Sequence, residues 1–462
     1  MKLPRPTSPR RAFILIAVLI VVMLVSMIAI SVLFRVRAEA AATAVSGASE
    51  QAWAAAMAGV EEAIRVMRQK PADPALWQDN PRAFREHFVC DDGADRWFFT
   101  VWSANDSDSR EEIRYGLSDE ASKLNLNTVG ETNLLRLPRM TPSLAQALID
   151  FIDPDSAAHP DGAEQEYYDT LPNPYAIRNG ELASVDELLL VRGFTVPLLY
   201  GEDANMNFIL DANENDGEQT YPPDNSDGKL DLGLRPFVTV SSYEPDQDSE
   251  GTPRTNVNDP EDPLPKVELP PALTNFISLM RINNYKVANA AELLEAKARF
   301  KDPATGKEAE YESGVGKNEL ALVLELFTAT PKQNLYGLIN VNTASAKVLA
   351  TLPEINDALA ESIVSARHAT AIEKRKTTAW LYTEGLVDAN TFKKIAPYLT
   401  ARSFQYSFHV LGYGVPSGRY RVLEVTIDLA PEKPAITYLR DLTKLGMPFR
   451  IDVSTQKEAA RG

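Results

Sequence analysis

The chain has 462 residues, 44% hydrophobic and 24% charged, a composition that excludes wholesale disorder, collagen and a polytopic membrane bundle. At roughly 100 to 200 residues per domain it has room for two to four domains. The single cysteine, Cys90, rules out an intramolecular disulfide and a cysteine-based zinc site. The formal charge of −17, from 47 Lys and Arg against 64 Asp and Glu, repels phosphate backbones at long range and argues against nucleic acid as a partner.

The first predicted element is a membrane span. Phe13 to Phe34 is 22 residues without a charge, and about 20 suffice to cross a bilayer as a helix. Lys2, Arg5, Arg10 and Arg11 precede it, which places the N-terminus in the cytoplasm and the chain after Arg35 outside. The apolar stretch is longer than the roughly 7 to 15 residues of a cleaved secretory signal, so it reads as an anchor. Ala38 to Lys70 is rich in Ala, Glu, Met and Val, with no Pro and only Gly47 and Gly59, so one helix is expected from Phe13 to about Lys70.

Beyond it, Arg96–Ser103 and Ile113–Ser118 read as strands from their aromatic and β-branched content. A similar group closes the chain: Ser403–Leu411 and Tyr420–Leu429 alternate in the same way, with a Gly/Pro turn expected from Gly412 to Gly418 and a third strand at Ile436–Leu439. The expected fold is therefore α+β. A long N-terminal helix and a small antiparallel sheet are interrupted, from about Glu120 to about Thr400, by a mainly helical insertion.

The insertion contains a repeat at an offset of 215. Asn125-Leu126-Asn127-Thr128 recurs as Asn340-Val341-Asn342-Thr343, Leu137-Pro138 as Leu352-Pro353, and Ala145 with Ile149 as Ala360 with Val364. Each copy, 125–153 and 340–368, reads as helix, tight turn and helix, and resembles the helix-hairpin-helix module. Where that module binds DNA, turn glycines let backbone N–H groups approach a phosphate. These turns, Leu-Pro-Arg-Met-Thr and Leu-Pro-Glu-Ile-Asn, have no Gly, and the second carries a carboxylate, so a structural role is expected.

The basic leader, the apolar helix opening on Phe13 and its amphipathic continuation together resemble the N-terminus of type IV pilins and pseudopilins. That resemblance implies a prepilin peptidase cut between Ala12 and Phe13, with methylation of the new terminus. Ala12 stands where the family usually has Gly, and Ala17 stands at the fifth mature position, where major pilins carry Glu. A buried Glu is tolerable there only when paired with a neighbour's N-terminal amine, so its loss is what a subunit with nothing above it should show. The stretch from Phe151 to Gly193, with its acidic loop, Gly162-Ala163-Glu164, Tyr167-Tyr168, Pro174-Tyr175 and Val185-Asp186-Glu187-Leu188, closely resembles the K minor pseudopilins of type II secretion.

On that basis the chain divides into a prepilin leader (1–12), a transmembrane helix (13–34), its periplasmic extension (35–70) and a first pilin-like part (71–122). The helical insertion (123–400), the final strands (401–446) and a flexible tail (447–462) follow. The resemblance implies a non-catalytic subunit, single-pass in the inner membrane with its main domain in the periplasm, that caps the pseudopilus tip and supports its assembly. The partners it implies are the I- and J-type minor pseudopilins, the major pseudopilin, the inner-membrane secretion platform and the prepilin peptidase, with no nucleic acid. The rival reading is a membrane-anchored helix-hairpin-helix DNA-binding protein of a competence-type system.

Metal chemistry is expected in the segment from Glu202 to Asp262, where sixteen acids face three basic residues. Asp203, Asn205, Asn207, Asp211 and Glu214 occupy positions 1, 3, 5, 9 and 12 of a twelve-residue loop, with the Ile209 carbonyl at position 7. Oxygen donors so spaced can wrap a calcium ion. Phe208 stands at position 6, where Gly normally makes the sharp turn. A weaker echo places Asn225, Asp227, Lys229 and Asp231 at positions 3, 5, 7 and 9 of a second calcium loop. Asp153, Asp155, Asp161, Glu164 and Glu166 form a third acidic group, read as a solvated loop or a source of helper ligands. His87, His159, His368 and His409 lie far apart, with no pair at metal-ligand spacing, so no enzyme is expected.

Overall fold

A computed structural model describes residues 10–69, 73–105, 112–303 and 306–451; residues 1–9 of the expected leader, Lys70 at the expected helix end and residues 452–462 of the expected tail lie outside the described residues. The first element is one continuous helix, α1 (Arg10–Arg68, 59 residues), about 90 Å long at 1.5 Å per residue. Its first part, Phe13–Ala40, contains an 18-residue stretch with a mean hydropathy of 3.3 and is exposed throughout. Farther along, Ala52, Ala55, Ala56, Val60, Ala63, Ile64 and Met67 are buried, a stripe at helical spacing that lies on the sheet.

That sheet runs β1 (His87–Asp91), β2 (Arg96–Ala104), β3 (Gln405–Val415), β4 (Tyr420–Asp428) and β5 (Ala435–Asp441), neighbours in that order and antiparallel throughout. Alternation along the strands serves both faces. Phe99, Val101, Phe408, Val410, Leu423 and Val425 pack on α1, while Phe98, Trp102, Leu411, Tyr413 and Val422 pack against Met206 and Phe208 of the acidic segment.

The sheet departs from expectation at its edge strand β1, for which the sequence gives no expected strand, and in two further places. The turn placed at Gly412–Gly418 starts later, because Gly412 and Gly414 are paired within β3 to Phe99 and Trp97. They are glycines for clearance rather than for bending: a Cβ on Gly412 would lie 2.3 Å from the Ala52 carbonyl oxygen of α1. The strand expected over Ile113–Ser118 is two short pieces, Ile113–Arg114 on β2 and Ser118–Asp119 on β3. Between them Gly116 presses on the Trp77 and Gln78 carbonyls, and the Leu117 N–H bonds Trp77 O at 2.9 Å.

The insertion leaves the sheet at Asp119 and returns at Gln405, and it is built from three related modules rather than two. Each opens on a two-residue strand carrying Asn-x-Asn and closes on a parallel two-residue strand: Leu124-Asn125 with Val238-Thr239, Thr255-Asn256 with Phe327-Thr328, and Ile339-Asn340 with Leu399-Thr400. In each, the first Asn carboxamide accepts the N–H of the second, at 3.0, 2.9 and 2.9 Å. The second Asn then clamps two carbonyls, one mid-module and one at the closing strand. Asn127 reaches Leu182 and Val240, Asn258 reaches Val287 and Ala329, and Asn342 reaches Arg375 and Ala401.

In the outer modules the paired helices are present, with α2 (Pro142–Ile152) and α4 (Asp357–Ala369) as their second members. The middle module substitutes α3 (Pro271–Ile282) and the hairpin Lys297–Lys301/Glu308–Glu312. Two buried acids at the exit point fasten the insertion to the sheet. Asp119 accepts from Asn340 Nδ2 at 3.1 Å, Ser403 Oγ at 2.6 Å and the Thr343 hydroxyl; Glu120 pairs with Lys123 at 2.5 Å and accepts from Ser407 and Thr239.

Candidate metal centre

The loop expected at Asp203–Glu214 is a compact turn docked on the sheet face opposite α1. Alternate oxygens bind its own backbone: the N–H groups of Asn207 and Phe208 donate to the two Asp203 oxygens at 3.1 Å each, and Ile209 N–H to Asn207 Oδ1 at 2.7 Å. Asp211 Oδ2 takes the carboxamides of Asn205 at 2.8 Å and Asn207 at 3.0 Å. Glu214 closes the turn, accepting from Ala204 N–H at 2.9 Å and Asp211 N–H at 3.0 Å. All five expected side-chain donors are thus joined in one hydrogen-bonded unit.

Position 6 obeys the geometry the loop demands despite its residue type. Phe208 has φ 66°, the left-handed conformation for which Gly is usual. Its ring stacks on His409 at 4.6 Å between centroids, and Trp102 Nε1 donates to Asn207 O at 3.2 Å. Both partners lie on the sheet, so tertiary contacts hold the turn.

Asp203, Asn207 and Glu214 are buried. Burial first, then the nearby Glu214 carboxylate, raises the Asp203 carboxyl to about 7, and burial raises Glu214 too. Two buried acids are costly in the ionised form, and the Arg235 charge offsets only part of that cost at Asp203. An all-oxygen donor set of this kind suits a hard divalent ion.

The second expected loop is arranged differently. Asn225 and Asp227 are exposed and each accepts the N–H two residues on, at 2.8 Å, while Asp231 takes the Gly233 N–H and pairs with Arg139. Lys229 is exposed. The residue that draws the two loops together is Glu202, which the sequence marks only as the start of the acidic segment. It is buried and accepts the N–H groups of Asn225 and Asp231 at 3.2 Å each. Asp224, which by a local shift can stand in for Pro223 at position 1 of the second loop, takes the N–H groups of Asp216 and Gly217 at 2.8 Å. Glu202 stands beside the twelve-residue template rather than on it, so spacing gave no signal for it.

Arg139 and Glu354, the central residues of the two hairpin turns, have φ 60° and 61° and are separated by the repeat offset of 215. The glycine-type bend of the module is kept without glycine. His409 is buried between Phe208 and Trp102, and burial holds its pKa well below the usual value.

A long helix that is uncovered and apolar at one end, compatible with a single-pass membrane anchor, and laid across an antiparallel sheet at the other, with a helical insertion carrying helix-hairpin-helix units, defines a pilin-like class. Residues 122–200 match the family described as type II secretion system (T2SS), protein K, and residues 336–400 match the helix-hairpin-helix motif family. Through residues 122–200 the chain carries the domain of the type II secretion K proteins. No curated protein matches the chain. Among solved structures it is similar to one described as the crystal structure of the GspK-GspI-GspJ complex from the enterotoxigenic Escherichia coli type 2 secretion system. That match is 13% identical, covers 88% of this chain and 99% of that chain, and has a TM-score of 0.37.

Proposed function

We propose that this chain is the minor pseudopilin that forms the tip of a type II secretion pseudopilus and supports assembly of the filament that exports folded proteins across the outer membrane. It is anchored in the inner membrane with its N-terminus cytoplasmic and its main domain periplasmic, and is cut between Ala12 and Phe13 by a prepilin peptidase. Its partners are the I- and J-type minor pseudopilins, the major pseudopilin and the inner-membrane platform. The role is structural rather than catalytic. The observation that carries this reading is the single helix whose apolar half, Phe13–Ala40, touches nothing while its other half is built into a sheet. Such a half-helix needs lipid first and neighbouring helices afterwards, as a subunit drawn from a membrane into a filament does. The type II secretion K domain at 122–200 supports the same assignment.

The loop Asp203–Glu214 holds calcium as a structural ion in this reading. Asp203, Asn205, Asn207, Asp211 and Glu214 supply side-chain oxygens and Ile209 its carbonyl, and the ion compensates the buried carboxylates that dock the insertion on the sheet.

Co-expression of the full chain with I- and J-type pseudopilins and a prepilin peptidase tests the assignment. The expected result is a detergent-extracted complex of all three in which this chain begins at Phe13 by mass spectrometry. A chain that purifies alone and keeps its leader would overturn it.

A further inference from the structure

A cavity of about 130 Å³ lies at the joint between the sheet and the insertion. The insertion lines it with Asp186, Tyr200 and Arg235, and the sheet with His409, Glu424 and Tyr438. Ala183 and Thr437, also in its lining, are exposed, so it opens to solvent. An engineered cavity of roughly 150 Å³ takes up a benzene ring, so this one has room for a molecule of about six heavy atoms.

The sheet explains why the cavity is polar. His409 on β3 stands directly opposite Glu424 on β4, and Glu424 opposite Arg440 on β5. Three ionisable residues thus form one row across the face that otherwise buries Phe98, Trp102, Leu411 and Tyr413. Such a row is expensive to bury unless it is paired. Ion pairs to the insertion cover part of the cost: Arg235 joins Glu424, and Arg440 joins Asp186 at 2.7 Å. Glu120, the remaining acid of the lining, pairs with Lys123 at 2.5 Å. These pairs dock the insertion and leave the charges around the cavity balanced.

What docking leaves over is more informative. Both ring nitrogens of His409, Glu424 Oε2 and Arg235 Nη1 are buried without a hydrogen-bond partner, on residues of which His409 is 2% and Glu424 9% exposed. The Met206 backbone faces the His409 ring without closing a hydrogen bond to either nitrogen. Burial keeps that imidazole neutral, so it offers one N–H and one acceptor nitrogen. Together with Arg235 Nη1 and Glu424 Oε2, it gives the cavity two donor groups and two acceptors. A hydroxyl both donates and accepts, so two adjacent hydroxyls answer all four. The rings of Tyr200 and Phe208 lie 5.3 and 5.9 Å from the Arg235 guanidinium and supply an apolar wall for C–H groups.

We propose that this cavity binds an uncharged, compact polyol through two neighbouring hydroxyl groups, either as a free small molecule or as the end of a saccharide. Glu424 Oε2 and one His409 nitrogen accept from the hydroxyls, while Arg235 Nη1 and the other His409 nitrogen donate to them. A charged ligand is disfavoured, because each acid of the lining already has its cation and a further buried charge would stand uncompensated. Water could meet the same polar atoms, but only a carbon-bearing ligand also covers the aromatic wall. Since the contacts come from both the insertion and the sheet, the ligand binds the docked arrangement and stabilises it.

The test uses the full chain in a sugar-free detergent, with glycerol, methyl glucoside and maltose as neutral probes and glucuronate as the charged comparison. Binding is read by saturation-transfer NMR and by the melting temperature. At least one neutral probe should bind in the millimolar range and raise the melting temperature, and glucuronate should bind at least tenfold more weakly. Glycerol binding alone identifies a free polyol; tighter binding of the glucoside or maltose identifies a saccharide end. Glu424→Gln and His409→Phe should each weaken binding by at least about tenfold. His409→Phe keeps a ring against Phe208 and Trp102, and it decides the matter if Glu424→Gln does not fold. The inference fails if none of the three neutral probes binds, if glucuronate binds as tightly as they do, or if His409→Phe binds them like the wild type. A wild type that binds no probe, beside a His409→Phe variant that melts higher, would show a cavity that holds water alone.

Discussion

Asp203 carries the strongest pH signature of the candidate loop. Its folded pKa, about 7, lies above the unfolded value of about 3.9, so the folded state holds the proton more tightly. The stability this contributes is fully present below about pH 4 and is lost as pH rises to about 7. Calcium-free protein should therefore weaken across that interval, by at most about 4 kcal/mol at roughly 1.4 kcal/mol per unit. Asp203→Asn should flatten the slope, and saturating calcium should reverse it, since the ion favours the ionised carboxylate. Urea unfolding at several pH values, with chelator and with calcium, reads all three; a slope unchanged in Asp203→Asn would remove Asp203 from the site. That positions 203, 205, 207, 211 and 214 belong to one loop was legible from their fixed spacing. Phe208 looked like a misfit because the His409 and Trp102 contacts that support its left-handed turn come from strands far away in sequence. Glu202 was invisible for the same reason, as its work is to join two loops through their backbones.

The repeated modules show what a fixed offset can and cannot reveal. The outer two share a Leu-Pro turn and a helix pair, and so align at 215 residues. The middle one keeps only Asn256-Val257-Asn258-Asp259 and its closing strand, replacing the helix pair with α3 and a hairpin. Four residues are too few to stand out unaided, yet the Asn258 clamp is the same as those of Asn127 and Asn342. The turns carry their own prediction. A left-handed non-glycine residue costs roughly 1 to 2 kcal/mol, whereas glycine costs roughly 0.5 to 1 kcal/mol through the unfolded chain. Glu354→Gly should thus leave stability unchanged or raise it by at most about 1 kcal/mol, and Glu354→Val should lower it by more than about 1 kcal/mol. Equal midpoints for both variants in denaturant would show that the φ of 61° is not the constraint. The same residue bears on the DNA reading: a carboxylate occupies the bend where a phosphate would approach, and like charges repel there.

At the scale of the molecule, the sheet is covered on one face by α1 and on the other by Met206 and Phe208. The anchor helix and the acidic segment are therefore packed against the two faces of one layer. The bulk of the chain, residues 120 to 404, enters and leaves at β3, whose strand backs onto the helix that would stack in a filament. The long helix and the sheet were legible from the apolar run and the aromatic alternation. The clearance glycines were not, because Gly412 reads as a turn until α1 is seen 2.3 Å from where its Cβ would stand. Filament position then turns on Ala17, which lies in the uncovered part of α1. A Glu there would sit in hydrocarbon unless a neighbour's N-terminal amine met it, at a cost of several kcal/mol if unpaired. A tip subunit has no neighbour above to profit from that pairing, and its large insertion would obstruct one. Ala17→Glu should accordingly give no gain in pseudopilus number or length when assembled with the other pseudopilins and counted by electron microscopy. A clear increase would mean that another subunit does stack on this one, and the tip position would have to be given up.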